Sequence, residues 1–293
     1  MPNTTASDNI HNLPIRQDVC FANAEGVFDE RVQAQQLKLL AKIAPFLKRF
    51  LERDERILMA STARMPMVVG ELFFGSYYSH LMRHSVLVFT DRRILQILTR
   101  MNYAPKNSIS QIRYGDLESF DTGNFFQRNL KLKYKNGKEE RFQGNAPGIL
   151  NKIKKVLPSY LTNFQPTEFK QRHNLCPRCA APLAKGKYVC PKCRLAFKNP
   201  GETVKYALIF PGGGFFYTRQ LFTGIYYGLI EAVMICLLVI GINETIQGKT
   251  SLGGFFGAGI FLIFFKLIHI YQARRYIVEY IPAEKDFTPT TMG

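Results

Sequence analysis

Apolar residues recur at helical spacing from residue 29 to residue 53, and charged or polar residues fill the positions between them. This pattern predicts an amphipathic lead-in helix over 29–54. Its apolar side is expected to pack on the domain that follows; lying on a bilayer surface or pairing with another chain are the alternatives. Residues 1–28 are polar and predict a disordered tail that holds Cys20 as a free thiol.

Short apolar runs typical of β-strands replace the helical pattern from residue 55 to residue 162. The Asn136-Gly137 pair is a strong signal for a β-hairpin across 130–142. A closing helix is expected over 147–157, where helical spacing returns. The fold class expected is a multi-domain α+β membrane protein that contains an antiparallel β-sheet with a capping helix, a metal-binding ribbon and a transmembrane helical hairpin.

One strand of the predicted hairpin alternates between apolar and basic residues, with Leu130, Leu132 and Tyr134 on one face. The other face carries the lysines that are the candidate contacts for anionic lipid head groups or a protein partner: Lys131, Lys133 and Lys135. A basic face that is merely solvated is the alternative.

The order of these elements resembles that of bacterial pleckstrin-homology-like and GRAM domains. The resemblance is carried by the lead-in helix, the Glu-Arg-Ile-Leu opening at 55–58, the Val-Leu-Val-Phe-Thr-Asp-Arg-Arg-Ile-Leu stretch at 86–95 and the terminal helix. It implies a PH-like domain at 55–162. The chain departs from the family at 65–82, an apolar insertion. The insertion is expected either to form ordinary sheet or pack on the lead-in helix, or to dip into the lipid interface.

Four cysteines form two Cys-Pro-basic-Cys clips, and a ten-residue spacer separates the clips. The cysteines are Cys176, Cys179, Cys190 and Cys193. If the spacer folds back, four thiolates surround one ion, an arrangement that favours structural zinc and leaves no position open for catalysis. Iron and a redox dithiol are the alternatives.

The segment 163–200 resembles the short zinc ribbon found beside membrane segments in many bacterial proteins. The two Cys-Pro-x-Cys knuckles carry this resemblance, together with Ala-Pro-Leu at 181–183 and Lys-Gly-Lys at 185–187. The family usually has glycine after each knuckle, where Ala180 and Arg194 stand here. The departure predicts some backbone strain, since glycine suits the left-handed conformation needed there.

Two long apolar segments, 221–242 and 253–273, are each long enough to cross a hydrocarbon core, which needs about 20 residues. They predict a transmembrane hairpin over 221–275. Cations flank its outer ends while the link carries only Lys249, so both termini and the tail at 276–293 are expected in the cytoplasm, beneath the inner membrane. Thiols that bind a metal must stay reduced, which indicates the same compartment.

The segment 201–220 resembles the Pro-Gly-x-Gly-x-x-Tyr stretch that precedes the spans of small double-spanning membrane modules, and this likeness implies a half-inserted or interfacial helix. Within the spans, antiparallel folding brings Glu231 level with about position 264, half a turn from Lys266. An ion pair or shared hydrogen bond between these two residues is therefore expected. A proton pathway is the alternative and would require a homo-oligomer.

The net charge of +17 is concentrated late in the chain, with sixteen Lys or Arg and three acids between Lys131 and Lys198. Such a surplus suits an anionic leaflet or nucleic acid. Nucleic acid is not expected, because the ribbon offers only Tyr188 and Phe197 for stacking on bases.

No catalytic constellation is present, so we expect a non-enzymatic inner-membrane protein whose PH-like domain binds anionic lipid or a protein partner, with the ribbon as a spacer. The alternatives are a membrane-tethered regulator that docks nucleic acid or a soluble protein, and an oligomeric transport or channel accessory.

Overall fold

The computed structural model describes residues 9–10, 13–64, 84–123, 129–161, 164–248, 252–275, 277 and 280–284. The apolar insertion predicted at 65–82 lies outside the described residues, as does most of the tail predicted at 276–293. The chain divides into two compact units, one extending to Leu195 and the other beginning at Ala196.

Unit 1 is a mixed α+β structure built on a large antiparallel sheet, which confirms this part of the expected fold. Its strands are β1 (Asn9–Ile10), β2 (Leu13–Pro14), β3 (Ile57–Arg64), β4 (His84–Thr90), β5 (Arg93–Thr99), β6 (Pro105–Arg113), β7 (Leu117–Thr122), β8 (Asn129–Tyr134), β9 (Glu139–Gln143), β10 (His173–Leu175) and β11 (Pro182–Leu183). Its helices are α1 (Gln17–Cys20), α2 (Glu30–Leu47), α3 (Pro147–Val156) and α4 (Pro158–Leu161). β1 and β2 pair separately, while the nine-stranded sheet has the order β11-β10-β6-β5-β4-β3-β9-β8-β7.

The nine-stranded sheet is buried on both faces around its central strands. Side chains alternate between the two faces of β4, so Val86 and Val88 join a core with α2, whereas Leu87 and Phe89 join a second core with α3. Every residue of β4 and β5 is buried as a result. This explains why both strands are almost continuously apolar rather than alternating.

Helix α2 begins at an Asp29 cap, whose side chain accepts hydrogen bonds from the backbone N–H groups of Arg31 and Val32. In its apolar stripe Leu37 is partly buried, whereas Leu40 and Leu47 are fully buried against the sheet. Burial of each such leucine contributes about 1.5–3 kcal/mol. The lead-in helix therefore packs on the domain that follows it, and it ends at Leu47 rather than at residue 54.

Residues 13–28 fold against unit 1 instead of forming part of a disordered tail. Leu13 and Phe21 are buried in the α2 core, and Lys152 Nζ donates to the carbonyls of Cys20 (3.1 Å) and Ala22 (2.8 Å). Burial raises the pKa of the Cys20 thiol to about 12. The polar composition of this segment led to a wrong prediction because several of its apolar residues, Leu13, Ile15 and Phe21 among them, pack in the core with residues distant in sequence.

The hairpin predicted across 130–142 is confirmed by β8 and β9. Leu132 lies opposite Glu140, and the turn places Gly137 in the left-handed region at φ +80°. Leu130, Leu132 and Tyr134 are buried in the α3 core. The apolar face of the alternation therefore faces inward, as the period of two requires.

Unit 2 consists of four helices: α5 (Pro200–Ile209), α6 (Gly213–Tyr217), α7 (Leu221–Ile246) and α8 (Leu252–Arg275). Helices α7 and α8 form an antiparallel pair, since Tyr227 bonds to Gln272 near one end and Glu231 bonds to Lys266 further along. The chain after α8 returns to the start of the unit, where Lys198 N–H donates to the carbonyl of Ile281 (3.0 Å).

A fully buried ion pair joins the start of β3 to the β4–β5 turn. Arg93 donates from Nη2 to Glu55 Oε2 (2.7 Å) and from Nε to Glu55 Oε1 (2.9 Å), and the Thr90 hydroxyl donates to the same carboxylate (2.7 Å). All three residues belong to the sequence stretches that resemble the PH-like family. Those stretches therefore share a structural role.

Replacement of Glu55 by Gln should lower the stability of the protein by about 3–5 kcal/mol, because the buried Arg93 would lose the carboxylate that binds it at two nitrogens and keep only the longer contact (3.3 Å) with Glu52. Thermal unfolding of the purified full-length protein measures the effect. Arg53→Gln is the matched control, since Arg53 is 96% exposed, and it should change stability by less than about 0.5 kcal/mol. Equal losses in the two variants would contradict the prediction.

Candidate functional site

The cysteine clips are attached directly to the sheet of unit 1. β10, which leads into the first clip, pairs antiparallel with β6, so that His173 lies opposite Gln111 and Leu175 opposite Ile109. β11 then pairs with β10. The first clip is consequently held by ladder hydrogen bonds at the edge of the nine-stranded sheet.

The four cysteine sulfurs converge on one point. All lie within 4.8 Å of one another, and the Sγ–Sγ distances are 3.5 Å for both Cys176–Cys193 and Cys179–Cys190. A tetrahedral thiolate site with metal–sulfur bonds of about 2.3 Å has sulfurs about 3.8 Å apart. The four cysteines could therefore bind one metal ion, with each clip contributing two ligands.

The backbone of each clip turns sharply to aim its sulfurs inward. Ala180 (φ 55°) and Arg194 (φ 58°) take the left-handed conformation at the positions where the ribbon family usually has glycine. Ala180 N–H donates to the carbonyl of Cys176 (2.9 Å), and Arg194 N–H donates to that of Cys190 (3.1 Å). The two clips thus repeat one geometry, and both keep it at some conformational cost.

The electrostatics of the thiols favour a bound cation. Burial raises the pKa of Cys176 and Cys179, so both sulfurs need a positive charge beside them to ionise at neutral pH. Burial also opposes ionisation of Cys190, but N–H groups of Cys193 and Lys192 outweigh it and bring the pKa to about 7. This donor set fits a metal that binds thiolates.

The lysines proposed as lipid contacts lie on β8 or just after it, and two of them have acidic neighbours. Lys131 Nζ lies 2.9 Å from Glu139 Oε1, and Lys133 Nζ lies 2.8 Å from Glu118 Oε1. Lys135 is exposed, and no ion pair is recorded for it within the described part of the chain. The alternation of residues along the strand predicted the basic face. Only the pairing of neighbouring strands shows that carboxylates neutralise two of its three lysines.

A second cationic surface lies on the ribbon itself. Between Asn174 and Lys198, the part of the ribbon that carries both clips, the exposed cations are Lys185, Lys187, Lys192 and Arg194. No acidic residue occurs in this stretch, so it supplies no carboxylate of its own to neutralise them. We define these four residues as the cationic ribbon surface.

In unit 2, the two charged residues expected to pair are brought together. Lys266 Nζ donates to Glu231 Oε2 (2.7 Å), and Glu231 is fully buried. The same carboxylate accepts hydrogen bonds from His269 Nδ1 and from the backbone N–H of Gly212 (3.1 Å). His269 and Gly212 were not predicted as partners, although the spacing of three residues between Lys266 and His269 places both on one helix face.

Gly212 can reach this carboxylate because it has no side chain. Its φ of +71° lies in the left-handed region, and a Cβ there would overlap the backbone of Gly224 in α7. The turn between α5 and α6 is thereby held against the hairpin. The segment predicted as half-inserted is thus two short helices, and the turn between them donates to the buried carboxylate of Glu231.

In α7, polar and small residues are buried while large apolar residues are exposed, the reverse of a helix in a water-soluble protein. Its buried residues are Thr223, Gly224, Tyr227 and Glu231, while apolar residues such as Leu229 (64% exposed) and Leu237 (59% exposed) face outward. Among the described helices, α7 alone is long and apolar enough to cross a membrane, with a mean hydropathy of 2.3. The first side chains of α8 lie outside the described residues, so the second predicted span stays a prediction.

No family model and no curated protein matches this chain. The C-terminal domain of an unknown protein from Leishmania infantum is similar in structure, with 12% identity, a TM-score of 0.27, and coverage of 45% of this chain and 99% of that one. A pleckstrin homology domain from Shewanella amazonensis SB2B has 20% identity, a TM-score of 0.26, and coverage of 43% and 97%. At these TM-scores neither likeness carries an argument about function.

Replacement of Cys193 by Ser should abolish stoichiometric metal binding, because three thiolates bind the ion far more weakly than four. Elemental analysis of the purified full-length protein measures the metal content per chain. Cys236→Ser is the control, since Cys236 is an exposed thiol outside the clips, and it should retain the metal. Equal metal content in both variants would show that the four cysteines are not the binding site.

Replacement of Glu231 by Gln and of Lys266 by Met should each destabilise unit 2, and the double variant should lose less than the sum. The expected coupling is about 0.5–3 kcal/mol, because the two side chains share a short charge-assisted bond. Thermal unfolding in detergent measures it. Lys205→Met, which removes a mostly exposed lysine, should have little effect. Additive losses would argue against the pair.

Proposed function

We propose that this chain is a non-enzymatic membrane protein whose unit 1 binds anionic lipid head groups at the bilayer surface. The observation that carries the proposal is the cationic ribbon surface, four exposed cations in the stretch from Asn174 to Lys198, which contains no acid. Each Lys or Arg close to an anionic leaflet contributes about 1 kcal/mol to binding. The ribbon also immediately precedes unit 2 in the chain.

The structure of β8 moves the proposed contact from the sheet to the ribbon. Lys131 and Lys133 are each matched by a carboxylate, so contact with lipid would require breaking an existing ion pair. The cationic ribbon surface requires no such exchange within its own segment. Lys135 remains available as a secondary contact.

The inverted burial of α7 supports insertion of unit 2 into a membrane. In lipid, apolar side chains face outward and the few ionisable groups face the interior with their partners, as Glu231 does. We extend this to two spans formed by α7 and α8, with both termini in the cytoplasm beneath an inner membrane. The flanking cations Arg219, Arg274 and Arg275 support that orientation.

Zinc is the metal that we propose for the four cysteines. Four thiolates in a tetrahedron suit zinc and leave no coordination position for a substrate. The role of the metal is then structural: it holds both clips and keeps the cationic ribbon surface in one shape. This assignment agrees with the absence of a catalytic constellation in the sequence.

The proposal is tested on the full-length protein in nanodiscs, either of neutral lipid or with added anionic lipid. Hydrogen exchange of ribbon peptides should slow when anionic lipid is present, and added salt should reverse the effect because screening weakens surface charge attraction. Replacement of all four residues of the cationic ribbon surface by Gln should remove the dependence on lipid.

The matched control replaces Lys154 and Lys155 by Gln, two exposed cations on α3. This variant should respond to anionic lipid as the unmodified protein does. If the hydrogen-exchange rates of ribbon peptides are identical in neutral and anionic nanodiscs, the proposal that the ribbon binds lipid is wrong. A soluble protein partner then becomes the better explanation of the ribbon's positive charge.

A further inference from the structure

A cavity of about 620 Å³ lies within unit 1, between the end of α2, the strands β5 and β6, and the ribbon. The ribbon supplies part of its lining through His173, Leu175 and Pro182. The residues that follow α2 supply Arg49 and Glu52. The volume lies within the range of small-molecule sites, about 300–1,000 Å³.

A chain of buried hydrogen bonds runs from the Glu55–Arg93 pair to this cavity. Arg93 Nη1 donates to Gln111 Oε1, which fixes the orientation of the Gln111 amide. Its Nε2 lies 2.6 Å from His173 Nε2 and, as an amide nitrogen, must donate to it. His173 Nε2 is therefore the acceptor, and the proton of the neutral ring sits on Nδ1.

The N–H of His173 faces the backbone of Gln171 and forms no hydrogen bond of standard geometry with it. His173 is 94% buried, and among the described residues its Nδ1 makes no hydrogen bond of standard geometry. Burial lowers the pKa of His173, so the ring is neutral at pH 7 and carries this single N–H. A buried donor without a well-aligned partner is destabilising, so a ligand acceptor placed beside it would be bound favourably.

Arg49 provides a second such donor in the lining of the same cavity. Its Nη1 is buried and has no hydrogen-bond partner among the described residues. Since a guanidinium is always charged at neutral pH, its natural partner is an oxyanion. Two donors that lack a partner of standard geometry, one of them cationic, therefore line the same cavity.

The acidic residues that line the cavity do not serve as hydrogen-bond acceptors for Arg49. Glu52 is already engaged, by Arg92 (3.3 Å), by Arg93 (3.3 Å) and by Arg113. Glu168, the other acid of the lining, is exposed. Neither carboxylate is bonded to Arg49 within the described residues.

The remaining lining is aromatic and aliphatic. Phe169 stacks on the His173 ring at 4.2 Å between centroids, and Phe164 and Leu175 also line the cavity. Such a surface accommodates the apolar part of a ligand. The lining therefore combines oxyanion donors with a hydrophobic surface.

We propose that this cavity binds a small amphiphilic anion, whose carboxylate or phosphate accepts hydrogen bonds from Arg49 and His173 while its apolar part packs on Phe164, Phe169 and Leu175. This site is separate from the cationic ribbon surface and requires no membrane contact by that surface. The ligand is either a soluble metabolite or the head group of a lipid with its first carbons.

Calorimetric titration of the full-length protein in neutral detergent with phenyl phosphate and with benzoate tests the soluble source. Arg49→Gln should weaken binding about 10- to 100-fold, the value of one charge-assisted hydrogen bond. Arg53→Gln, an exposed arginine four residues away, should bind as the unmodified protein does. Benzamide, which matches benzoate without its charge, should not bind.

A second measurement does not depend on any variant remaining folded. In protein labelled with ¹⁵N at histidine, saturating phenyl phosphate should shift the Nδ1 resonance of His173 through its new hydrogen bond, and the other four histidines should stay unchanged. The test of the lipid source uses nanodiscs that contain phosphatidic acid. Native mass spectrometry counts the lipid molecules that stay bound to the protein after its release, and the Arg49→Gln variant is compared with Arg53→Gln.

Dependence on Arg49 in either arm supports the proposal, and the arm that shows it identifies the source of the ligand. If neither arm shows it, or if both arginine variants lose binding equally, the proposal is overturned. The cationic ribbon surface is judged separately by its own four-residue variant, so either idea can fail while the other stands.

Discussion

The buried ion pair between Glu55 and Arg93 is the interaction on which unit 1 depends. It joins the start of β3 to the β4–β5 turn, and Arg93 extends the connection through Gln111 to His173 in the ribbon. A buried charge is tolerated only when its partners are in place, so this set of bonds specifies the relative positions of three separate segments. The same chain of bonds determines which nitrogen of His173 carries its proton.

This connection changes the meaning of the ribbon. As a sequence motif it suggested a spacer, but its first strand is part of the nine-stranded sheet and its residues line the cavity of unit 1. A metal held by the four cysteines would therefore stabilise both the cationic ribbon surface and one side of the cavity. Metal binding and ligand binding become properties of one structural unit.

Unit 2 buries polar residues and exposes apolar ones, the reverse of unit 1. Its outward face is apolar, and its interior gathers polar groups around one carboxylate that accepts from Lys266, His269 and the backbone of Gly212. Three donors on one acceptor make the interior polar cluster tolerable in a low-dielectric surrounding. Such an arrangement suits a hairpin whose surface is covered by lipid.

Short-range spacing was enough to predict the two cysteine clips, the β8–β9 hairpin, helix α2 and the proximity of Glu231 to Lys266. Each of these depends on residues a few positions apart or on one simple fold-back. Contacts between distant segments were not accessible in this way. The packing of residues 13–28, the carboxylates beside Lys131 and Lys133, the pairing of β10 with β6 and the donor on His173 all depend on strand register and on long-range burial. The amino-acid sequence by itself determined which chemical groups the protein has and the local elements that carry them. Only the tertiary structure decided which of these groups are neutralised and which remain without partners, because that outcome depends on neighbours brought together by folding.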